Sequence, residues 1–216
     1  MKGTTHLAIG TVIGVAASMY YPFTIQNAAI YIAVSAFSAL SADLDGPSIL
    51  SSKIGKVSKQ IRQLLVWGGV LLVSVLTFLF LSEQAFFPEY SIVCLIALLF
   101  GFITKEGLIR NALVSAIGGL IMYGGWYFHM NWLIGLGLFI AWAPWLKHRG
   151  MTHTVWAVCI WGIISYGMEQ QLQVQGLMAV STTSYLSHLL ADTLTPQGVK
   201  WLYPLYKRSI KLKLKL

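Results

Sequence analysis

The chain has 216 residues, of which 56% are hydrophobic and 10% charged, and its formal net charge at pH 7 is +8. Soluble domains usually carry about 25% charged residues, so most of this surface cannot face water and an ordinary soluble enzyme is excluded. We expect no cleavable signal peptide after Met1-Lys2-Gly3, and no disulfide between Cys94 and Cys159, which lie in apolar stretches. The composition predicts an integral membrane protein.

Apolar segments without Asp, Glu, Lys or Arg recur along the whole chain. They are residues 7–22, 27–42, 64–82, 91–104, 111–128, 132–146, 154–168 and 176–191. Only 64–82 and 111–128 approach the ~20 residues that span a bilayer core unaided, so the others are expected to be tilted, re-entrant or partly buried. The predicted fold class is all-α, a polytopic helical membrane protein with about eight transmembrane or re-entrant segments. Residues 1–216 are expected to form a single integral membrane domain.

Basic residues are confined to one set of alternating loops. With a cytoplasmic N-terminus, eight spans place four stretches on the cytoplasmic side: 43–63, 105–110, 147–153 and 192–216. These loops and Lys2 hold all 15 Lys and Arg residues, whereas the opposite loops hold three acids and no basic residue, namely Glu83, Glu89 and Glu169. The positive-inside rule therefore predicts a multi-pass protein of the cell (plasma or inner) membrane with both termini in the cytoplasm. The end of the chain, about 205–216, is expected to be a short basic cytoplasmic tail, either lying on anionic headgroups or disordered.

Most of the histidines and several of the acids fall in four short polar islands, "THLAIG", "SADLDGP", "KHRGMTH" and "SHLLADTLTPQG". Their ionisable candidates are His6, Asp43, Asp45, His148, His153, His188 and Asp192. In the predicted topology all four islands lie at the cytoplasmic ends of spans, so residues distant in sequence reach one membrane depth. Ionisable groups at membrane depth are costly and tend to mark functional sites.

Two of the islands contain pairs with a defined spacing. His188 and Asp192 are four residues apart, so on a helix they share a face, although a simple hydrogen bond between them would also explain the pair. Asp43 and Asp45 precede a Gly-Pro pair, which favours a turn where both carboxylates converge. The alternative for these aspartates is capping of a helix end.

The island "KHRGMTH" places two histidines in a basic loop. Gly150 predicts a bend, and Thr152 is a candidate N-cap of the next helix. The alternative is an interfacial basic loop without a site. His6, an isolated histidine near the N-terminus, is the weakest of the candidates.

A set of imidazoles and carboxylates without a pair of cysteines nearby suits zinc, manganese or iron(II). A tetrahedral zinc ion needs four ligands, and the islands offer seven candidates. The sequence therefore predicts one or two divalent metal ions, with zinc preferred and manganese or iron as the other choices. Either an aspartate bridges two ions, or the surplus residues orient the ligands and serve as a general base.

The four islands, in this order, resemble those of the YdjM-like family of membrane-bound, predicted metal-dependent hydrolases. The resemblance runs from residue 4 to about 204. It implies a metal site, and every position of the family pattern matches: His6, Asp43, Asp45, His148, His153, His188 and Asp192. The H-x-x-x-D spacing in the last island is also similar to a motif of zinc-dependent phospholipase C and the related single-strand nucleases.

The first functional hypothesis is a metal-dependent hydrolase that acts at the cytoplasmic membrane face on a lipid or phosphate-ester substrate. A metal would acidify water and polarise the scissile bond. Asp45 is a candidate catalytic residue that holds the metal or takes the proton. Arg149 is a candidate to clamp an anionic group with its planar fork, unless it is only a positive-inside anchor.

The second hypothesis is a non-enzymatic membrane protein, either with a structural metal site or with a role in ion or lipid transport or sensing. Transporter sites usually lie near mid-depth, whereas these groups lie at the ends of spans. The one-sided distribution of the net positive charge fits membrane orientation better than nucleic-acid binding. We therefore expect a membrane lipid as partner and no nucleic acid.

Overall fold

The computed structural model describes residues 1–83 and 87–212, and this part of the chain is helical. Its α-helices are α1 (Gly3–Tyr20), α2 (Ile25–Ser41), α3 (Ser52–Glu83), α4 (Pro88–Ile103), α5 (Glu106–Tyr127), α6 (Asn131–Trp142), α7 (Val155–Leu172) and α8 (Leu177–Thr193). Short 3₁₀ helices cover Ala42–Asp45, Ala143–Trp145 and Met151–His153. Within the described ranges, β pairing is limited to one antiparallel bridge between Val199 and Ile210. The predicted all-α class is confirmed.

Three of the helical stretches are long and apolar enough to cross a membrane. They are Ile25–Asp45, Ser52–Ser82 and Glu106–Tyr127, and two shorter apolar stretches are Pro88–Ile103 and Asn131–Trp145. The sequence predicted about eight transmembrane or re-entrant segments, so the described residues contain fewer candidate spans than that prediction. Part of the reason is that the helices of the bundle carry polar groups inward; α8, with 17 residues, buries Ser181, Ser184 and His188.

The chain divides into two compact units. The first comprises Met1–Ser51 and Val114–Leu216, and the second comprises Ser52–Leu113. In the second unit α3 and α4 pack closely at Gly69 and Gly101, where an added Cβ would come within 2.9 Å of the facing helix. All seven candidate site residues belong to the first unit. The single membrane domain expected from the sequence remains a prediction.

In the first unit, α1 and α2 approach closely at two glycines one helical turn apart. A Cβ at Gly10 would lie 2.6 Å from the Cβ of Ala39, and a Cβ at Gly14 would lie 2.6 Å from the Cα of Ile32. Small residues four positions apart let helix backbones pack closely in lipid. This contact fixes α1, which carries His6, against the helix that leads into the aspartate-bearing 3₁₀ turn.

Several polar groups in the interior of the first unit are hydrogen-bonded to one another. Near the start of α8, the hydroxyl of Tyr31 donates to the carbonyl oxygen of Gln175 over 2.6 Å. One layer further along, the Oγ of Ser181 accepts from the Nε1 of Trp161 at 3.0 Å and lies 2.7 Å from the Oγ of Ser165. Buried polar groups are tolerated when they are hydrogen-bonded in this way. The C-terminal end of α8 carries His188 and Asp192, two residues of the candidate site.

The segment that follows α8 folds back onto that end of the helix. Val199 and Ile210 exchange backbone hydrogen bonds of 3.1 and 2.8 Å, and the N–H of Leu212 donates to the oxygen of Thr193 over 3.0 Å. The sequence left open whether the basic tail is disordered or lies on headgroups. Through Leu212 these backbone bonds join the tail to the end of α8, and its residues 213–216 lie outside the described part of the chain. Both alternatives for the tail remain predictions.

Candidate metal centre

The seven candidate residues of the four polar islands meet at one end of the first unit. They come from α1, the 3₁₀ turn after α2, the loop before α7 and the end of α8, and they are His6, Asp43, Asp45, His148, His153, His188 and Asp192. Three groups have ligand atoms within 4.8 Å of one another: His6–Asp43–His188, His153–His188–Asp192 and Asp43–Asp45–His148. The groups share Asp43 and His188, so the seven residues form one cluster.

The two aspartates of the 3₁₀ turn lie on opposite sides of His153. The Oδ1 of Asp43 lies 3.6 Å from the Nε2 of this imidazole, and the Oδ2 of Asp45 lies 3.5 Å from its Nδ1. The turn ends at Gly46, where an added Cβ would lie 3.0 Å from the Nδ1 of His148. A glycine at this position lets the histidine loop approach the turn, so both carboxylates converge on that loop as the sequence predicted.

The loop before α7 makes a tight turn. The N–H of Gly150 donates to the oxygen of Lys147 over 2.8 Å, and a Cβ on this glycine would lie 2.6 Å from the same oxygen. Arg149 takes the left-handed backbone conformation, with φ of 57°. The bend predicted at the glycine is present, and it turns the arginine side chain toward α8.

Thr152 does not cap α7, so the N-cap predicted from the sequence is wrong. Thr154 is the cap, and its Oγ1 accepts from the N–H of Ala157 over 3.3 Å. Thr152 lies in the 3₁₀ turn before the helix and points inward, where its hydroxyl donates to the Oδ2 of Asp45 over 2.7 Å. A threonine just before a helix can either cap the helix or bond to another group. Here the buried carboxylate of Asp45 accepts the hydroxyl of Thr152.

Hydrogen bonds at Nδ1 determine which imidazole nitrogen is available as a ligand. The Nδ1 of His188 lies 2.6 Å from the carbonyl oxygen of Ala39, and the Nδ1 of His148 lies 2.8 Å from the Oδ1 of Asp45. A carbonyl oxygen and an ionised carboxylate can only accept, so each Nδ1 carries the hydrogen. The neutral imidazoles therefore present a lone pair at Nε2, the arrangement common in ligating histidines.

The Nε2 atoms of His153 and His188 are buried without a hydrogen-bond partner among the described residues. That of His153 lies 3.6 Å from the Oδ1 of Asp43 and 3.9 Å from the Oδ2 of Asp192. The Nε2 of His188 lies 3.5 Å from the Oδ1 of Asp43 and 4.0 Å from the Oδ2 of Asp192. Atoms bound to one tetrahedral zinc at 2.0–2.1 Å lie about 3.3 Å apart. These donors therefore fit a divalent ion.

His6 belongs to the cluster, although the sequence ranked it weakest. It is 1% exposed and stacks on His188, with ring centroids 3.7 Å apart and an interplanar angle of 18°. Its Nε2 lies 3.3 Å from the Oδ1 of Asp192, and neither of its ring nitrogens has a hydrogen-bond partner within the described ranges. Buried polar atoms are normally paired, so an imidazole with two unpaired nitrogens indicates a missing partner.

His153 lies close to the carboxylates of Asp43 and Asp45. Burial lowers the pKa of His153, but the carboxylates of Asp43 and Asp45 outweigh burial and raise that pKa to about 9. A ligating imidazole must be neutral. Binding of a divalent ion to this side chain therefore requires loss of its proton at pH 7.

Asp45 has both carboxylate oxygens engaged by the protein. Its Oδ1 contacts the Nδ1 of His148, and its Oδ2 accepts from the backbone N–H of Arg149 at 2.9 Å and from the hydroxyl of Thr152. These contacts describe a carboxylate that orients the histidine loop. The roles of ligand and proton acceptor that the sequence suggested for Asp45 remain predictions.

Arg149 reaches across to the end of α8. Its Nη2 lies 2.9 Å from the Oδ2 of Asp192, while its Nη1 is buried without a hydrogen-bond partner in the described structure. The amino group of Met1 also contacts Asp192. The arginine predicted to clamp an anionic group therefore already uses one arm of its fork on a carboxylate of the cluster.

A cavity of about 290 Å³ adjoins the cluster, and Asp43, His148, Arg149 and Asp192 are among its lining residues. The side chain of His148 is 54% exposed, so the cavity is accessible from outside. The unpaired Nη1 belongs to Arg149, one of these lining residues. Such a cavity accommodates a small anionic group next to the candidate ligands.

Sequence reasoning missed three contacts that hold the site together. The carbonyl oxygen of Ala39 and the hydroxyl of Thr152 contact ring nitrogens of the cluster, and the hydroxyl of Tyr185 donates to the oxygen of Thr152 over 2.6 Å. Tyr185 precedes His188 by three positions, so a helical projection places both on one face. A backbone carbonyl such as that of Ala39 leaves no signal in a sequence.

The fold and the cluster together define a class: an apolar protein, all-helical in its described residues, with histidine and aspartate groups that could hold a metal ion. Comparison with family models matches residues 1–216, the whole chain, to the YdjM inner membrane protein family. The chain therefore belongs to that family, and the resemblance based on the four islands is confirmed. Comparisons with curated proteins and with solved structures gave no match.

Proposed function

We propose that this protein is a membrane-bound, metal-dependent hydrolase that acts at the cytoplasmic membrane face on a lipid or other phosphate ester. The observation that carries the proposal is a set of buried, unpaired imidazole nitrogens that face two carboxylates beside a polar cavity. The residues of this set are His6, His153, His188, Asp43 and Asp192. Membership of an inner membrane family supports the membrane location.

The donor set suits zinc first, and manganese or iron(II) as alternatives, because it combines imidazoles with carboxylates and lacks thiolates. Asp43 belongs to two of the three donor groups, so it is the candidate bridge if a second ion binds near His148. A divalent ion supplies Lewis acidity, which acidifies water and polarises a phosphoryl oxygen. Asp45, with both oxygens engaged, is proposed to orient the histidines.

An anionic substrate is supported by Arg149. The arm of the guanidinium that is not used by Asp192 matches a phosphoryl oxygen in charge and geometry. A lipid is supported by the position of the cluster, because the candidate span Ile25–Asp45 ends at two of its carboxylates. A phosphate-bearing headgroup would lie at this depth, so a membrane lipid is the proposed partner.

The proposed membrane arrangement has eight transmembrane or re-entrant segments with both termini in the cytoplasm. The one-sided distribution of Lys and Arg supports it, since these residues flank the same loops that carry the site. Reporter fusions after Asp45 and Gly150 should report cytoplasm, and a fusion after Glu169 should report the opposite side. An external signal at Gly150 would overturn this arrangement.

The test of function combines metal content with turnover. Protein purified in detergent is analysed for bound metal and incubated with a panel of phospholipids and polyprenyl phosphates, and released headgroup or phosphate is measured. We expect activity that chelation removes and zinc or manganese restores, and that His188→Asn abolishes. The matched control is His129→Asn, because His129 lies outside the cluster at a φ of 54° that asparagine tolerates. Activity that survives chelation or His188→Asn would contradict the proposal.

The second candidate function is non-enzymatic, with a structural metal site or a role in ion or lipid transport or sensing. The burial of His6, His153 and His188, each at most 1% exposed, favours a structural ion. Stoichiometric metal without turnover of any lipid in the panel would select this alternative.

A further inference from the structure

We infer that Thr152 is a positioning residue whose hydroxyl fixes the orientation and the tautomer of His153 for metal binding, and that Tyr185 holds Thr152 in place. The inference rests on the proposed metal site and assigns no contact with substrate. It concerns a side chain that the sequence predicted to be a helix cap.

The direction of the hydrogen bonds follows from the chemistry of the three groups. The Oγ1 of Thr152 lies 2.7 Å from the Oδ2 of Asp45 and 2.9 Å from the Nδ1 of His153. A hydroxyl has one hydrogen, and an ionised carboxylate only accepts, so the hydroxyl donates to Asp45. It must then accept from the N–H at Nδ1. The hydrogen of the neutral imidazole is therefore on Nδ1, and the lone pair is at Nε2.

That lone pair points to the proposed metal position. The Nε2 of His153 has no hydrogen-bond partner among the described residues and lies 3.6 and 3.9 Å from oxygens of Asp43 and Asp192. Without the hydroxyl, the nearest remaining acceptor for Nδ1 is the Oδ2 of Asp45 at 3.5 Å rather than an oxygen at 2.9 Å, so the N–H is held at Nδ1 less firmly. An imidazole with its hydrogen at Nε2 presents a donor where a ligand is needed.

The hydroxyl is held in a dry and rigid setting. Thr152 is 1% exposed and Tyr185 is fully buried, and the tyrosine hydroxyl donates to the backbone oxygen of Thr152 over 2.6 Å. The ring of Tyr185 packs against Trp161, with centroids 5.2 Å apart. Hydrogen bonds in water-free surroundings orient their groups strongly. Hydrogen bonds from Tyr185 to Thr152 and between Thr152 and His153 thus connect the packed interior to a proposed ligand.

Removal of the hydroxyl should weaken metal binding without removing a ligand. Thr152→Val keeps the shape of the side chain and loses the oxygen. Outer hydrogen-bond partners of metal ligands typically contribute about 10- to 100-fold in affinity, so we expect a loss of this size for zinc. Thr152→Ser retains the hydroxyl and should restore affinity close to that of the wild type. Tyr185→Phe should show a smaller loss in the same direction.

The experiment measures the Kd for zinc of the full-length protein in detergent, by competition with a chromophoric chelator. The control is Thr182→Val, because the Oγ1 of Thr182 is buried without a described partner and belongs to no donor group. It should leave the Kd unchanged. Wild-type affinity in Thr152→Val would overturn the inference, and so would a serine variant as weak as the valine variant.

A second measurement needs no substitution. The wild-type protein is loaded with the spin-active isotope of cadmium, and coupling between the metal and the imidazole nitrogens is recorded by NMR. The inference predicts coupling to the Nε2 of His153, and coupling to its Nδ1 would refute it. If the wild-type protein binds neither zinc nor cadmium, the proposed metal site itself fails. Wild-type binding with an unaffected Thr152→Val refutes only the role of Thr152.

Discussion

Arg149 and Asp192 form an ion pair that connects the histidine loop to the end of α8, with 2.9 Å between Nη2 and Oδ2. The same Oδ2 lies 3.9 Å from the Nε2 of His153 and 4.0 Å from the Nε2 of His188. One arm of the guanidinium therefore positions a proposed metal ligand, while Arg149 is also one of the residues that line the cavity. The Arg149–Asp192 ion pair therefore affects both the position of a proposed metal ligand and the positive charge that could bind an anionic substrate.

Arg149→Lys should separate these two tasks. Lysine keeps the positive charge but cannot serve a carboxylate and a phosphoryl group with one planar fork. A hydrogen bond to a charged group contributes about 1.5–3 kcal/mol, so kcat/KM on an active phospholipid should fall roughly 10- to 100-fold. Bound zinc, measured by elemental analysis, should remain. Arg208→Lys, an exposed arginine outside the cluster, is the control and should behave as the wild type.

His6→Asn tests the ligand that sequence reasoning ranked lowest. Because His6 is buried against His188 and 3.3 Å from Asp192, its loss should reduce the zinc content of the purified protein as His188→Asn does. The measurement is the metal-to-protein ratio after dialysis against a weak chelator. An unchanged ratio in His6→Asn, together with a reduced ratio in His188→Asn, would exclude His6 from the ligands.

Gly14→Ala should destabilise the contact between α1 and α2. The added Cβ would lie 2.6 Å from the Cα of Ile32, so the helix backbones must separate. Overpacking of this kind typically costs about 1–3 kcal/mol. The midpoint of thermal unfolding in detergent should fall, and metal affinity should fall with it, because α1 carries His6.

The matched control for this prediction is Gly119→Ala. Gly119 lies within α5, and no atom lies within 4 Å of a Cβ added there. Alanine in a helix interior is favoured over glycine by about 0.5–1 kcal/mol, so the control should be neutral or slightly stabilising. Equal destabilisation by both substitutions would show that the close approach is not the cause.

Removal of metal should make stability depend on pH through His153. The folded-state pKa of His153 is about 9, above its ordinary value of 6.5, so the folded protein holds this proton more tightly than the unfolded chain does. The stabilisation is complete below 6.5 and is lost as the pH rises through about 9. The melting temperature of chelator-treated protein should therefore decline over this window. His153→Gln should flatten the decline, and a wild-type melting temperature independent of pH would contradict the prediction.

The candidate site could be predicted from the sequence because ionisable residues are rare in this chain. His148 and His153 stand out in an apolar background, and the spacing of His188 and Asp192 places them on one helical face. The predicted membrane topology then places the islands at a common depth. In a soluble protein the same residues would be lost among many surface charges.

Contacts that depend on side-chain direction were beyond sequence reasoning. Thr152 and Thr154 lie two positions apart in the same island, and only the packing decides that the second caps α7 while the first meets Asp45. The pairing of Arg149 with Asp192 likewise depends on a left-handed residue in the loop, with φ of 57°. The sequence predicted the α-helices of the described residues better than it predicted how many of them are candidate spans. One reason is that inward-facing polar groups lower the hydropathy of α8.

The stacked rings of His6 and His188 come from the first and the last helix of the bundle. During synthesis on a ribosome, α1 is made long before α8 exists. The cluster is therefore incomplete throughout translation of the intervening helices, and its donors can meet only after α8 has been made. The proposed binding of an ion by all of these donors is then a late event in biogenesis, one that distinguishes a full-length chain from a truncated one.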